Sequence, residues 1–176
     1  MNLIDLLAGS QNNPAVTQLA RQFGLNPEQI RDVIGQVAPA LGQGLARNTS
    51  AAGGLDSLIN ALQKGSHSRY VDQPDSLGQA DTVQDGNNIL GHILGSKDIS
   101  RALAGRAGAS TGISPDIIKQ LLPLIASLAM GSLSKQTTNA PQGNQISDVL
   151  GSLLDRNRDG SALDDLIGMA GKFLGR

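Results

Sequence analysis

GLNPEQIRDVIGQVAPALGQGL, residues 24–45, and GISPDIIKQLLPLIASLAMGSL, residues 112–133, decide how this chain is built. Laid against each other, Gly24 falls on Gly112, Pro27 on Pro115, Ile30 on Ile118, Ala38 on Ala126 and Leu45 on Leu133. Like-for-like changes fill the gaps: Leu25 with Ile113, Asn26 with Ser114, Glu28 with Asp116, Arg31 with Lys119. Each stretch opens as a helix should. Asn26 and Ser114 are N-cap types whose side-chain oxygen accepts an orphan amide proton. Pro27 and Pro115 follow at the first helical position, where no amide hydrogen is missed. Glu28 and Asp116 place negative charge at the positive end of the helix dipole.

Downstream, Ile30, Val33, Ile34, Val37, Ala38 and Leu41 recur at helical spacing, as do Ile118, Leu121, Leu122, Ile125, Ala126 and Ala129. In the second copy Ile117, Leu124 and Leu128 widen the apolar face, which predicts burial on more than one side. Pro39 and Pro123 fall inside these helices, where a proline removes a backbone hydrogen bond and bends the helix or begins a new one.

Outward from the pair, IDLLAGS (4–10) matches LGHILGS (90–96) upstream. Shorter helices are predicted at Leu3–Leu7, Ala15–Phe23, Leu55–Leu62, Ile89–Leu94 and Ile99–Ala107, with a C-terminal pair at Ile146–Leu154 and Ala162–Leu174. The run GSHSRYVDQPDSLGQADTVQDG (65–86) is polar and aperiodic, with Asp72, Asp75, Asp81 and Asp85 against one base, Arg69. It reads as a linker in which the lone Tyr70 can dock. The expected architecture is all-α: a helical module at 1–64, a polar linker at 65–86, a second module repeating the first at 87–140, and a helical hairpin with an Asp-rich loop at 141–176.

Composition narrows the function classes. The 176 residues carry 39% apolar side chains, and Phe23, Tyr70 and Phe173 are the only aromatics. An aliphatic core without large rings offers few shaped pockets, which lowers the expectation of a small-molecule enzyme. Fourteen basic against fifteen acidic residues and a net charge of −1 give no basic face for nucleic acid. No cysteine is present, so disulfides, thiol catalysis and thiolate metal sites are excluded. The opening MNLIDLLAGSQNN lacks the basic flank and long apolar stretch of a secretory signal. The most apolar run, Leu121 to Leu133, falls short of the roughly 20 residues needed to span a bilayer. A cytoplasmic protein is expected.

DGNNILGHILGSKDISRALA (85–104), TGISPDIIKQLLPLIASLAMGSLSK (111–135) and LLDRNRDGSALDDLIGMAGKFLG (153–175) together resemble the YidB-like family of bacterial proteins, catalogued as a domain of unknown function. The resemblance covers roughly Asp85 to Arg176, the N-terminal module being its weaker duplicate. It implies an all-helical fold and carries no catalytic activity with it.

The loop Asp155-Arg156-Asn157-Arg158-Asp159-Gly160-Ser161 has the opening of an EF-hand-type calcium loop. Alternating oxygen ligands followed by glycine suit a hard cation. Leu166 stands at the twelfth position, where a bidentate Glu belongs, with Asp164 and Asp165 just before it. A polar turn in which Asp159 or Ser161 caps the last helix explains the same residues. Calcium at Asp155, Asn157 and Asp159 is the single cofactor candidate. His92, between Gly91 and Gly95, and His67 show no partner for acid–base work, and no serine sits in a nucleophile elbow.

Glycine is more telling. Several of the 22 lie in predicted helices, among them Gly35, Gly42, Gly44, Gly91 and Gly131, each costing about 1 kcal/mol against alanine. Small residues stack at four-residue spacing: Ala38, Gly42 and Ala46; Gly91 and Gly95; Ser127 and Gly131. Such stripes let helix backbones approach, within one chain or between two. The expectation is a non-enzymatic structural or interaction protein that works through helix–helix contacts and self-associates, its partner being a protein and not nucleic acid. A weak calcium-responsive protein and peripheral membrane association are the alternatives, the latter lacking a basic flank.

Overall fold

The computed structural model describes Leu7 and residues 13–139, and the described chain is all-α. The helices are α1 (Pro14–Phe23), α2 (Pro27–Ser50), α3 (Gly54–Lys64), α4 (Arg69–Asp72), α5 (Ala80–Leu94), α6 (Lys97–Thr111) and α7 (Pro115–Asn139), with a 3-10 helix at Pro74–Gly78 between α4 and α5. Of the helix expected at Leu3–Leu7 only Leu7 is described; it is helical and buried. The C-terminal pair lies outside the described residues.

The two long helices begin alike, for the reasons their sequences gave. Gly24 and Gly112 hold positive φ (66° and 72°) and end the preceding helices in the left-handed conformation that glycine adopts without Cβ strain. At α2 a reciprocal capping box forms: Gln29 N donates to Asn26 Oδ1 at 2.8 Å, and Asn26 N donates to Gln29 Oε1 at 3.0 Å. At α7, Asp116 N donates to Ser114 Oγ at 3.3 Å. Even the first-turn ion pairs correspond, Arg31 with Glu28 at 2.5 Å and Lys119 with Asp116 at 2.9 Å. Both carboxylates are mostly exposed, so these pairs contribute little stability.

Neither internal proline starts a new helix. Pro39 sits on the exposed side of α2, where water can satisfy the carbonyl it orphans. Pro123 is buried in α7. Its carbonyl lies so close to Gly86 of α5 that a Cβ there would fall 2.5 Å from the Pro123 carbonyl carbon and 2.8 Å from Ser127 Oγ.

One aliphatic core runs through the described chain. Every residue from Leu121 to Ser134 is buried, because α7 packs against α5 and α6 most extensively and also meets α2, α3 and α4. By length and composition Pro115–Gln136 matches a bilayer-spanning helix, with a mean hydropathy of 1.5, but 83% of that window is buried inside the fold. It is a core helix. α5 and α6 each also touch α2, so residues from both predicted modules share the same interior.

Segment 65–86, expected as a polar linker, is largely helical and packed. α4 lies on α7, and the 3-10 helix lies on α1. Tyr70 and Leu77 are 1% and 0% exposed. Burying a ring of about 150–250 Å² at about 25 cal/mol per Å² stabilises the docked segment by on the order of 4 kcal/mol before ordering costs. α5 likewise starts at Ala80, well before the predicted Ile89. Its inward face there is Thr82 and Gly86, small groups that leave no apolar stripe to read.

Candidate functional site

A half-open groove of about 300 Å³ lies between α2, α3 and α5, with Met130 of α7 also in its lining. Leu45, Leu58, Ala61, Ile89 and Ile93 give it apolar walls; Asn48, Ser57, Asn88 and His92 supply polar atoms. α2 and α5 meet beside it at Gly44, where a Cβ would fall 2.6 Å from Ile93 Cγ2. Asn48 Nδ2 then donates to the His92 carbonyl at 2.5 Å, tying α2 to the last turn of α5.

His67 and Asp85 also line the groove and are paired, Nδ1 to Oδ2 at 3.2 Å. The same carboxylate oxygen accepts from the Tyr70 hydroxyl at 2.7 Å. Arg69 Nη2 donates to the Tyr70 oxygen at 3.1 Å and to Asp81 Oδ2 at 3.2 Å, and its guanidinium carbon lies 5.0 Å from the ring centroid. Burial, chiefly, pushes the Tyr70 hydroxyl above its ordinary pKa, and the bond to Asp85 adds to the rise. The hydrogen bond with Tyr70, above all, holds Arg69 more firmly in its charged form.

This His–Asp–Tyr–Arg cluster links the 65–72 segment to the first turns of α5. The imidazole of His67 lies where a Cβ on Gly65 would collide with it, so the glycine makes room for the ring. Of the hydroxyls in the groove lining, Ser57 Oγ donates to Gly53 O, the cap of its own helix, at 2.8 Å and Thr49 Oγ1 donates to Ala46 O at 3.0 Å. Among the described residues no three His, Asp or Glu side chains converge to hold a metal. Buried hydroxyls complete the tie: Ser127 Oγ donates to Thr82 O at 3.3 Å, Thr82 Oγ1 to Ser76 O at 2.6 Å, and Ser134 Oγ to Leu62 O at 3.0 Å.

The small residues singled out from sequence separate into groups. Ala38, Ser127 and Gly131 are buried inside the molecule. A Cβ on Gly131 would fall 2.5 Å from His67 O and 3.3 Å from Tyr70 Cβ, so this glycine seats the 65–72 segment. Gly42 and Ala46 are half-buried on α2. Gly91 is exposed with open space around it, and Gly95 is the left-handed cap of α5 at φ 77°. Asp155, Asn157 and Asp159 lie outside the described residues. Sequence reading missed the His67–Asp85 pair and Gly86; a lone aromatic followed by Val71 and Leu77 was the available hint that 65–86 is packed.

The sequence profile of a family described as bacterial protein of unknown function (DUF937) matches residues 5–136. The YidB-like resemblance is to this same family. The match takes in the first module and stops before the C-terminal motif, whereas the motifs had placed the resemblance on Asp85 to Arg176. No characterised protein and no solved structure matches the chain.

Proposed function

Since the chain belongs to the DUF937 family of bacterial proteins of unknown function, which brings no activity with it, we propose that it is a non-enzymatic interaction protein. Its groove between α2, α3 and α5 receives the aliphatic side chains of an amphipathic helix, and self-association is one form this takes. The observation that carries the reading is the groove itself: apolar walls, polar groups along them, and an opening of about 300 Å³, room for a few side chains. Recognition of a helix by anchors at i, i+3 and i+4 in an apolar groove is a recurring mode.

Light scattering over a concentration series tests this, on the wild type and on Ile93→Asp, with circular dichroism confirming that helicity is retained. The expected result is a wild-type mass rising above one chain and an Ile93→Asp mass that does not. A wild type that stays at one chain refutes self-association. An assembly indifferent to Ile93→Asp removes the groove as its seat.

A second reading rests on the alternating oxygens of Asp155, Asn157 and Asp159. Calorimetry with calcium is expected to give heat that Asp159→Ala abolishes; no heat from the wild type ends that reading.

A further inference from the structure

The chain contains a second copy of the sequence that forms α3. Leu55-Asp56-Ser57-Leu58-Ile59 reappears as Leu163-Asp164-Asp165-Leu166-Ile167, and Lys64 and Lys172 correspond in the same register. In α3 the face made by this pattern does the packing: Leu58 lines the groove and Leu62 is 3% exposed. Leu163, Leu166, Ile167 and Ala170 repeat that spacing of i, i+3, i+4 and i+7, with Phe173 and Leu174 extending it.

We propose that residues 162–174 are the occupant of the groove, docked from the same chain with Leu166 and Ile167 as anchors beside Leu58, Ile89 and Ile93. This rests on the groove being a helix-binding site, and names the helix. Chain length favours it. Asn139 ends α7 nine residues beyond Met130, about 13 Å along the helix at about 1.5 Å per residue. Residues 140–161 then supply 22 positions of connection, and a helix over Ile146–Leu154 within them still leaves a reach of up to about 55 Å at about 3.3 Å per remaining residue. A segment tethered within reach meets its site as an intramolecular event, independent of protein concentration, which favours it over a dilute second copy. Chemistry favours it as well: the groove is already bordered by one helix bearing the Leu-Asp-x-Leu-Ile pattern, and aliphatic anchors match its aliphatic walls.

The absence of cysteine allows a direct test on the full chain. Ile93→Cys is paired with Leu166→Cys, and Ile99→Cys, exposed on α6 and outside the groove, is paired with Leu166→Cys as control. Under mild oxidation the 93–166 pair is expected to form an intramolecular disulfide at least tenfold faster than the 99–166 pair. Equal rates overturn the proposal. A disulfide found only between two chains overturns it in favour of a second copy as the donor. Amide hydrogen exchange on Leu166→Asp/Ile167→Asp, which adds no cysteine, is expected to show at least fivefold faster exchange at residues 85–93 than the wild type; unchanged exchange also overturns it. Failure here with an Ile93→Asp-sensitive assembly leaves the groove reading standing with a different helix. Success here in a chain that never exceeds one copy leaves the docking standing and removes self-association.

Discussion

Gly86→Ala and Gly91→Ala place the same methyl group on the same helix and are expected to act in opposite directions. At Gly91 nothing lies within 4 Å of the new Cβ, and the residue is exposed. The change there yields only the helix-propensity gain, about 1 kcal/mol. At Gly86 the Cβ would sit 2.5 Å from the Pro123 carbonyl carbon and closer still to its oxygen, against an ordinary contact beginning at 3.4 Å, so α5 and α7 must part by at least about 0.9 Å. The obstruction is backbone on the α7 side and cannot swing away. A gap of that size forfeits a quarter to a half of each dispersion contact it opens, and overpacking of this kind costs about 1–3 kcal/mol. The Ser127–Thr82 hydrogen bond spans the same contact at 3.3 Å, and stretching it removes about 1 kcal/mol more. Against the propensity gain of about 1 kcal/mol, the net loss at Gly86 is about 1–3 kcal/mol. Urea unfolding of the full chain, followed by far-ultraviolet circular dichroism, reads both changes as shifts in midpoint at constant slope. A Gly86→Ala protein as stable as the wild type would refute the argument that α5 and α7 touch through backbone at this point.

Three further outcomes are expected. Because the folded pKa of Tyr70 lies above its ordinary value, its contribution is intact below about pH 10 and is lost as pH rises through the folded pKa. Wild-type stability should therefore fall in that alkaline window, and Tyr70→Phe should flatten the fall in urea midpoints measured from pH 8 upward. At neutral pH the same variant loses the bond to Asp85, about 1 kcal/mol, seen in the same midpoints. Asn26→Ala removes the side-chain half of the α2 capping box, the acceptor for Gln29 N, and keeps the backbone half; it is expected to cost about 1 kcal/mol, a fall of about 2–4 °C in Tm for a chain of this size by calorimetry.

How much of this was legible in the sequence differs from element to element. The starts of α2 and α7 were readable because caps, first-turn prolines and first-turn acids act locally, through groups within three residues of one another. The core face of α7 was readable because its apolar residues leave no polar gap. Segment 65–86 was not, since the only large buried apolar side chains in it are Tyr70 and Leu77, set among polar residues of which some, Ser76 and Thr82, are buried too. The pairing of His67 with Asp85 spans eighteen positions and two elements, and nothing in either residue's neighbourhood announces the other. Gly86 read as the end of a linker; its role is set by a carbonyl of another helix. The groove escaped notice for the same reason: its walls come from α2, α3, α5 and α7, and only packing brings them together.

The shared interior has a consequence for synthesis. Val33, Ile34, Val37 and Leu41 of α2 are 0–1% exposed in the finished molecule, and α5 and α6, which contact that helix, come later in the chain. Ribosomes add about 5–20 residues per second, so the roughly 60 residues from the end of α2 to the end of α6 take about 3–12 s. Throughout that interval a nascent chain carries a greasy amphipathic helix with its natural cover still untranslated. A holdase that shields such a helix, or a pause in translation that lengthens its exposure, acts on this protein before any of it is folded.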